Sequence, residues 1–251
     1  MVPNVLHVVF GLAPDFGGRP FSLVHALALR SAWAVNRFDA TLFHHAHEPT
    51  GPMWDWVRPR LERVRVTPPT EVFGRPVRRV EHQADVVRLD ALLRHGGVYL
   101  DLDTLSVRPL APLYHHASVL GREQTPGSRI QGLCNAVILA EPGSSFVARW
   151  REAYRTFDGD YWHVHSVVVP RLLAERAAPG EVHVEPPASF FCPSWDDAGL
   201  ADLFERDLAF PLAYVHHLWA GRSWDRYLRD LDEPAVRQGT STYARLARAF
   251  L

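Results

Sequence analysis

His82-Gln-Ala-Asp85-Val-Val-Arg88-Leu-Asp-Ala-Leu-Leu-Arg-His-Gly96-Gly97-Val-Tyr99-Leu-Asp101-Leu-Asp103 occupies the middle of the 251-residue chain. Ala84, Val87, Ala91 and Leu92 share one side of a helix over residues 82–94. Gly96-Gly97 supplies the left-handed stop that ends it. Val98 to Leu100 then reads as an apolar strand that delivers Asp101-Leu102-Asp103 at its carboxyl end. If the strand persisted, both carboxylates would point to one face, because side chains alternate along it. Two adjacent carboxylates repel unless a cation sits beside them. Ligands of open α/β sheets collect outside the carboxyl ends of strands. The simplest occupant is therefore a hard divalent ion, Mn²⁺ or Mg²⁺, completed by substrate phosphates and water. Asp85 and Arg88, at i and i+3, lie on one helix face, where they can bond each other or grip a polyol together.

The flanking sequence alternates in kind. Strand-like runs are expected at 5–11, at 39–43, around Val64 and Val66, at 134–140 and near 212–216. Helices are expected over 19–36, 53–60, from about 144 to 157, 166–178 with Pro170 kinking or starting it, 224–231 and 242–251. Alternation of this sort predicts an α/β fold, a largely parallel sheet with helices on its faces. No repeat, low-complexity tract or long linker divides the chain. It reads as one catalytic domain over 1–251, with a C-terminal lid and helices from about 210 to 251.

Composition excludes several function classes. The 27 basic residues, all arginine, against 28 acidic ones leave a formal charge of -1, which argues against a general nucleic-acid binder. Without lysine there is no Schiff-base lysine and no phosphate-loop lysine. Two cysteines, Cys134 and Cys192, cannot form a disulfide framework or a four-thiolate zinc site; they allow one disulfide, but read rather as unpaired buried thiols in a reducing compartment. The opening run is short and interrupted by His7, so it reads as a buried strand and not a signal peptide. No stretch suits a membrane span, and the cytoplasm is the default compartment.

Taken together, the D-x-x-R helix, the Gly-Gly stop, the Tyr-containing strand and the terminal D-x-D resemble glycosyltransferase family 32, the sugar-binding-region enzymes with a DXD motif. They are also similar to the catalytic domains of the large glucosylating toxins. Further points of likeness are His7-Val-Val-Phe10-Gly11, with Phe10 where the family has Trp, Asn135-Ala136-Val137, and His217 through Ser223-Trp224. The family's G-P-x-x-L-T stretch is poorly kept in Val169-Pro170-Arg171.

The resemblance implies a GT-A fold and a metal-dependent, retaining transfer of a hexose from a nucleotide sugar, UDP-linked or GDP-mannose, to an unknown acceptor: glycan, small molecule or protein. It implies that Asp103 and His217 ligate the metal, and that Asp101 reaches the ribose and, through water, the metal. Asp85 and Arg88 would hold the donor sugar, with Asn135 a further contact. Phe10 would stack on the base, Tyr99 would line the nucleotide pocket, and Ser223 and Trp224 would close over the diphosphate. Two other classes compete. One is a nucleotide-sugar hydrolase or nucleotidyltransferase, for which Gly17-Gly18-Arg19 would serve as the phosphate loop; the other is a sugar-binding module with a decayed site. A zinc site from His44, His45 and His47 is conceivable, and His163 and His165 could face the acceptor.

Overall fold

A computed structural model describes residues 1–124 and 131–251. Its centre is a seven-stranded sheet formed by β1 (Val5–Val9), β2 (Ala40–His45), β3 (Glu62–Arg65), β6 (Gly97–Leu100), β8 (Ser118–Gln124), β9 (Gln131–Ala140) and β10 (His183–Glu185). The order across the sheet is β10-β8-β9-β6-β1-β2-β3. Six strands run in one direction. β9 alone is reversed, antiparallel to both β6 and β8. Two small pairings stand apart: β4 (Glu71–Val72) with β5 (Arg75–Pro76), and β7 (Thr104–Ser106) with β11 (Val215–His217).

The chain leaves β1 outward through α1 (Leu23–Asn36), β2, α2 (Pro52–Val57) and β3, then returns through α3 (Val80–His95) to β6 on the other side of β1. That reversal opens a crevice beyond the carboxyl ends of β1 and β6, the place where open α/β sheets bind ligands. Phe10 follows β1 there and Asp101 follows β6.

Strand β6 is buried on both faces, and its alternation decides what covers each. Val98 and Leu100 join Leu6, Val8, Leu29, Trp33 and Phe43 in the core beneath α1. Tyr99 turns the other way, to Val86, Leu89 and Leu92 of α3 and to Trp150 of α4 (Ser145–Glu152). The turn between α3 and β6 tolerates only glycine. Gly96 and Gly97 have φ of 62° and 110°, and a Cβ would lie 2.5 Å from Pro142 Cδ at the first and 2.5 Å from the Val5 carbonyl oxygen at the second.

Past β9 come α5 (Val169–Ala174), α6 (Pro187–Phe190), α7 (Asp197–Phe204), α8 (Ala220–Ser223), α9 (Glu233–Gln238) and α10 (Thr242–Ala247). Leu218, Trp224, Leu228, Val236 and Tyr243 from this part pack on Leu23, Val24 and Leu27 at the start of α1.

Several expected boundaries shift. The first strand ends at Val9, since Phe10 and Gly11 turn into the crevice, and the first helix begins only at Leu23, after the Ser22 cap. The expected helix over 166–178 is a π-helical turn, Val164–Val168, followed by α5. Pro170 sits in the first turn of α5, directly after the π-helical turn, and the His165 carbonyl five residues before it accepts instead from Trp150 Nε1 at 2.7 Å. The strand near 212–216 is Val215–His217, and Trp224–Leu228 is π-helical. Strands β7, β8 and β10 and helix α7 were not expected from the sequence.

Candidate active site

Three elements bring the acidic pair and its partners together. Asp101 leaves β6 with its N–H bonded to the Ala136 carbonyl of β9 at 2.9 Å, and its own carbonyl accepts from Thr104 Oγ1 at 2.7 Å. That turns the chain sharply, so Asp103 enters β7 directly. β11 pairs with β7 in a register that sets His217 opposite Thr104. Leu218 N–H then donates to the Asp103 carbonyl at 2.7 Å, and His217 Nε2 comes 3.3 Å from Asp103 Oδ2. The same Oδ2 accepts from the Ala220 N–H at 2.7 Å.

Asp101, Asp103 and His217 each offer a ligand atom, and these lie within 4.8 Å of one another, the one such cluster among the described residues. Two carboxylates with one imidazole are an oxygen-rich donor set of the kind Mn²⁺ and Mg²⁺ take. His217 presents Nε2 to this cluster, while its Nδ1, on the far side of the ring, is buried with no hydrogen-bond partner among the described residues. Burial alone would raise the Asp103 carboxyl. His217 and the Ala220 N–H outweigh that and hold it well below the usual carboxylate range. Burial alone would lower the His217 imidazole, and Asp103 reverses that and raises it.

A second cluster adjoins the first. Arg88, buried on α3, reaches Asp85 Oδ1 at 3.3 Å, Asp101 Oδ1 at 3.2 Å and the Asn135 carbonyl at 2.8 Å. Its guanidinium carbon lies 4.4 Å from the centre of the Tyr99 ring, whose hydroxyl donates to Asp101 Oδ1 at 2.6 Å. The Asn135 side-chain amide donates to Asp85 Oδ1 at 2.6 Å. Burial works against the Arg88 charge, but Asp101, Tyr99 and Asp85 outweigh it, so Arg88 stays protonated. Burial raises the Asp85 carboxyl against the pull of Arg88 and the Asn135 amide. One guanidinium thus ties Asp85, the sheet at Asn135 and the acidic pair into a single charged network.

The other expected residues are placed as follows. Phe10 stands half-buried at the crevice, 5.5 Å from Phe21 edge-on and 4.9 Å from His25 between ring centres. Trp224 is buried, with its ring 5.9 Å from His25. Ser223 is fully buried and donates its hydroxyl inward to the Leu218 carbonyl at 2.6 Å. His165 does not face an acceptor. Its ring packs on Tyr154 and Phe157 in the core, because the π-helical turn rolls it inward. His44 and His45 sit on successive positions of β2, hence on opposite faces, and His44 bonds His7 at 3.0 Å, which leaves no zinc site with His47.

Residues the sequence did not single out also border the site. His25 lies among Phe10, Phe21 and Trp224, and burial pushes its imidazole down to about 4. Glu123 of β8 accepts from Trp195 Nε1 at 3.2 Å, and Arg222 lies 5.2 Å over the Trp195 ring. None carries a spacing signal. They meet only because β8 and the chain after β9 fold toward β11.

A model of the family described as "glycosyltransferase sugar-binding region containing DXD motif" matches residues 70–120. The chain is 36% identical over 262 residues to glucan organizing enzyme 1 of Cryptococcus neoformans var. grubii, covering 100% of this chain and 71% of that protein. Among solved structures, the glycosyltransferase GlyE of Streptococcus pneumoniae superposes with a TM-score of 0.55 at 11% identity, over 90% of this chain and 57% of that one. Mouse xyloside xylosyltransferase 1 gives a TM-score of 0.51 at 13% identity, over 86% of this chain and 98% of that one.

Proposed function

The chain belongs to the glycosyltransferases whose sugar-binding region contains a DXD motif, and from that membership we propose that it moves a hexose from a UDP-sugar, with retention at the anomeric carbon, in a reaction that needs Mn²⁺ or Mg²⁺. Its fold is GT-A. The observation that carries the proposal is the joined network: Asp101, Asp103 and His217 within 4.8 Å of one another, with Arg88 linking Asp101 to Asp85.

In this reading Asp103 and His217 hold the metal, with Asp101 beside them. When bound, the ion acts as a Lewis acid on the diphosphate whose negative charge grows as the C1–O bond breaks. The residues of the chain do the rest. Asp85 and Arg88 hold the donor sugar's hydroxyls, and Asn135 fixes Asp85 for that task. Tyr99, buried beneath α3, acts through its hydroxyl bond to Asp101, which it orients toward the nucleotide ribose. Phe10, at the end of β1, stacks on the base. Trp224 and Ser223 belong to the C-terminal segment that covers the diphosphate, where the buried Ser223 hydroxyl shapes the Leu218 turn.

Asp85 accepts from Asn135 and Arg88 at one oxygen, and this reading gives it the sugar hydroxyls to hold and not the anomeric carbon to attack. In this reading the acceptor hydroxyl attacks from the face the diphosphate leaves, within the ion pair: the new C1–O bond forms as the bond to the diphosphate breaks, and the hydroxyl proton passes to the departing diphosphate oxygen. Trapping a glycosyl-enzyme adduct on Asp85 would contradict this. The glucan named in its relative points to a polysaccharide acceptor. Both cysteines are free, which suits a reducing, cytoplasmic compartment. No helix among the described residues is long and apolar enough to cross a membrane.

The test is a panel of UDP-hexoses and GDP-mannose with and without Mn²⁺, scored for donor hydrolysis and transfer. One UDP-sugar is expected to turn over with Mn²⁺ and to stop with EDTA. Asp103→Ala is expected to cost at least ~100-fold, comparable to the loss of one preorganised electrostatic element. Full activity in Asp103→Ala would remove the metal assignment.

A further inference from the structure

We propose that Trp162, with Tyr161 beside it, is the platform on which a neutral oligosaccharide acceptor lies while its terminal hydroxyl reaches the donor sugar. The proposal rests on the nucleotide-sugar reading above. Tyr161 and Trp162 are 61% and 52% exposed, unusual for large aromatic side chains in this molecule.

The segment is held from two sides, and the α3 side leads to the sugar-holding cluster. On one side is α3. His82 Nε2 lies 3.3 Å from the Trp162 carbonyl oxygen, and the two rings are 5.8 Å apart. His82 precedes Asp85 by three residues, so their Cβ atoms are neighbours on one helix face, about 5–6 Å apart. On the other side is β9. The π-helical turn Val164–Val168, which follows directly, docks on β9 at Gly132, where a Cβ would lie 1.9 Å from Val167 Cγ1. Gly132 precedes Asn135 by three residues, roughly 10 Å along a strand. Asp85 and Asn135 bond each other. The α3 contact thus sets Trp162 beside the helix face that carries Asp85, and the proposal takes this as the edge of the donor-sugar pocket.

The surroundings select the occupant. The two aromatics are followed by His163 and preceded by Asp158 and Asp160, and the Arg79 guanidinium lies over the Trp162 ring at 5.6 Å, a contact that a sugar stacking on that face displaces. Two exposed rings among hydrogen-bonding groups do not form the broad apolar patch of a protein interface. They match a sugar ring, which offers a C–H face to an aromatic and hydroxyls at its rim. An indole supplies that face with little rotamer entropy to lose.

The test is calorimetric titration of the full chain with laminaritetraose, maltotetraose, cellotetraose and mannotetraose, each with and without UDP and Mn²⁺. At least one glycan is expected to bind. Trp162→Ala is expected to weaken it ten-fold or more, Tyr161→Ala less, and Trp162→Phe to restore most of the affinity. An unchanged thermal midpoint in Trp162→Ala checks the fold. The proposal is overturned if wild type binds none of the four glycans, or if Trp162→Ala binds as tightly as wild type. UDP binding is read separately. A Trp162-dependent glycan signal without UDP binding would sink the donor reading and leave the platform standing.

Discussion

The Arg88 guanidinium reaches Asp85, Asp101 and the Asn135 carbonyl, besides the Ala84 carbonyl of its own helix, while stacked on Tyr99. The i, i+3 spacing of Asp85 and Arg88 was legible in the sequence. The contact to Asp101 follows from the glycine turn that folds α3 back on β6. Asn135 carried only a family likeness, and its bond to Asp85 depends on the reversed course of β9. Histidine shows the opposite case, in which residue type misleads. Fourteen histidines are scattered through the chain, and most of the buried ones are structural. His7 donates Nε2–H to the Gly96 carbonyl at 2.9 Å and pairs with His44. Burial lowers His7 to about 4 and His44 to about 3, and His25 and His216 to about 4, from an ordinary 6.5. The sign follows directly. Between pH 6.5 and 4 the unfolded chain holds protons that these buried rings refuse, so stability falls as pH falls through that window. Each such ring contributes a slope of about 1.4 kcal/mol per pH unit. His217, raised by Asp103, acts in the opposite sense but only above pH 6.5, where the folded ring holds a proton the unfolded one has lost, so it leaves the slope below pH 6.5 unchanged. Urea denaturation in EDTA at pH 7 and pH 5 is expected to show a marked loss at pH 5, above most of the carboxylate range. A flat profile would mean these rings are not held neutral.

At the scale of elements, the α3–β6 unit was readable almost in full because local rules govern it. Helical spacing marks α3, paired glycines end it, and an apolar run marks β6. What the sequence concealed were the short or edge elements. β7 and β10 have three residues each, too few for a periodic signal. β8 begins with buried Ser118-Val-Leu-Gly121 and ends in polar Arg122-Glu-Gln124, so neither alternation nor a long apolar run announces it. The pairing of β7 with β11 brings together residues more than a hundred positions apart and has no local signature. That pairing sets His217 beside Asp103, so a likeness to a family located His217 where periodicity could not. The α3–β6 turn carries its own prediction. Gly97→Ala forces a Cβ against the Val5 carbonyl at an unfavourable φ, which is expected to cost at least ~1–3 kcal/mol. It also separates Arg88 from Asp101. A lowered urea midpoint with weakened nucleotide binding checks this. Wild-type stability in Gly97→Ala would show that the turn can relax.

For the molecule as a whole, the alternation of strands and helices correctly indicated a mostly parallel sheet. The single reversed strand, β9, was beyond it, because strand direction is set by connections and not by composition. Strand order matters more for function. With β1 and β6 adjacent and the chain leaving them on opposite sides, Phe10, Asp101 and Asp103 open onto one crevice. The C-terminal elements close on it from the α1 side and supply His217 and the Ala220 N–H. In the proposed reaction Asp103 and His217 would hold a divalent ion shared with a nucleotide diphosphate. Calorimetric titration of UDP into wild type and Asp103→Asn, each with Mn²⁺ and with EDTA, tests it most directly. Tight UDP binding is expected only in wild type with Mn²⁺, with a loss of ten-fold or more in the other three conditions. Equal UDP affinity with Mn²⁺ and with EDTA, or in Asp103→Asn and wild type, would contradict it.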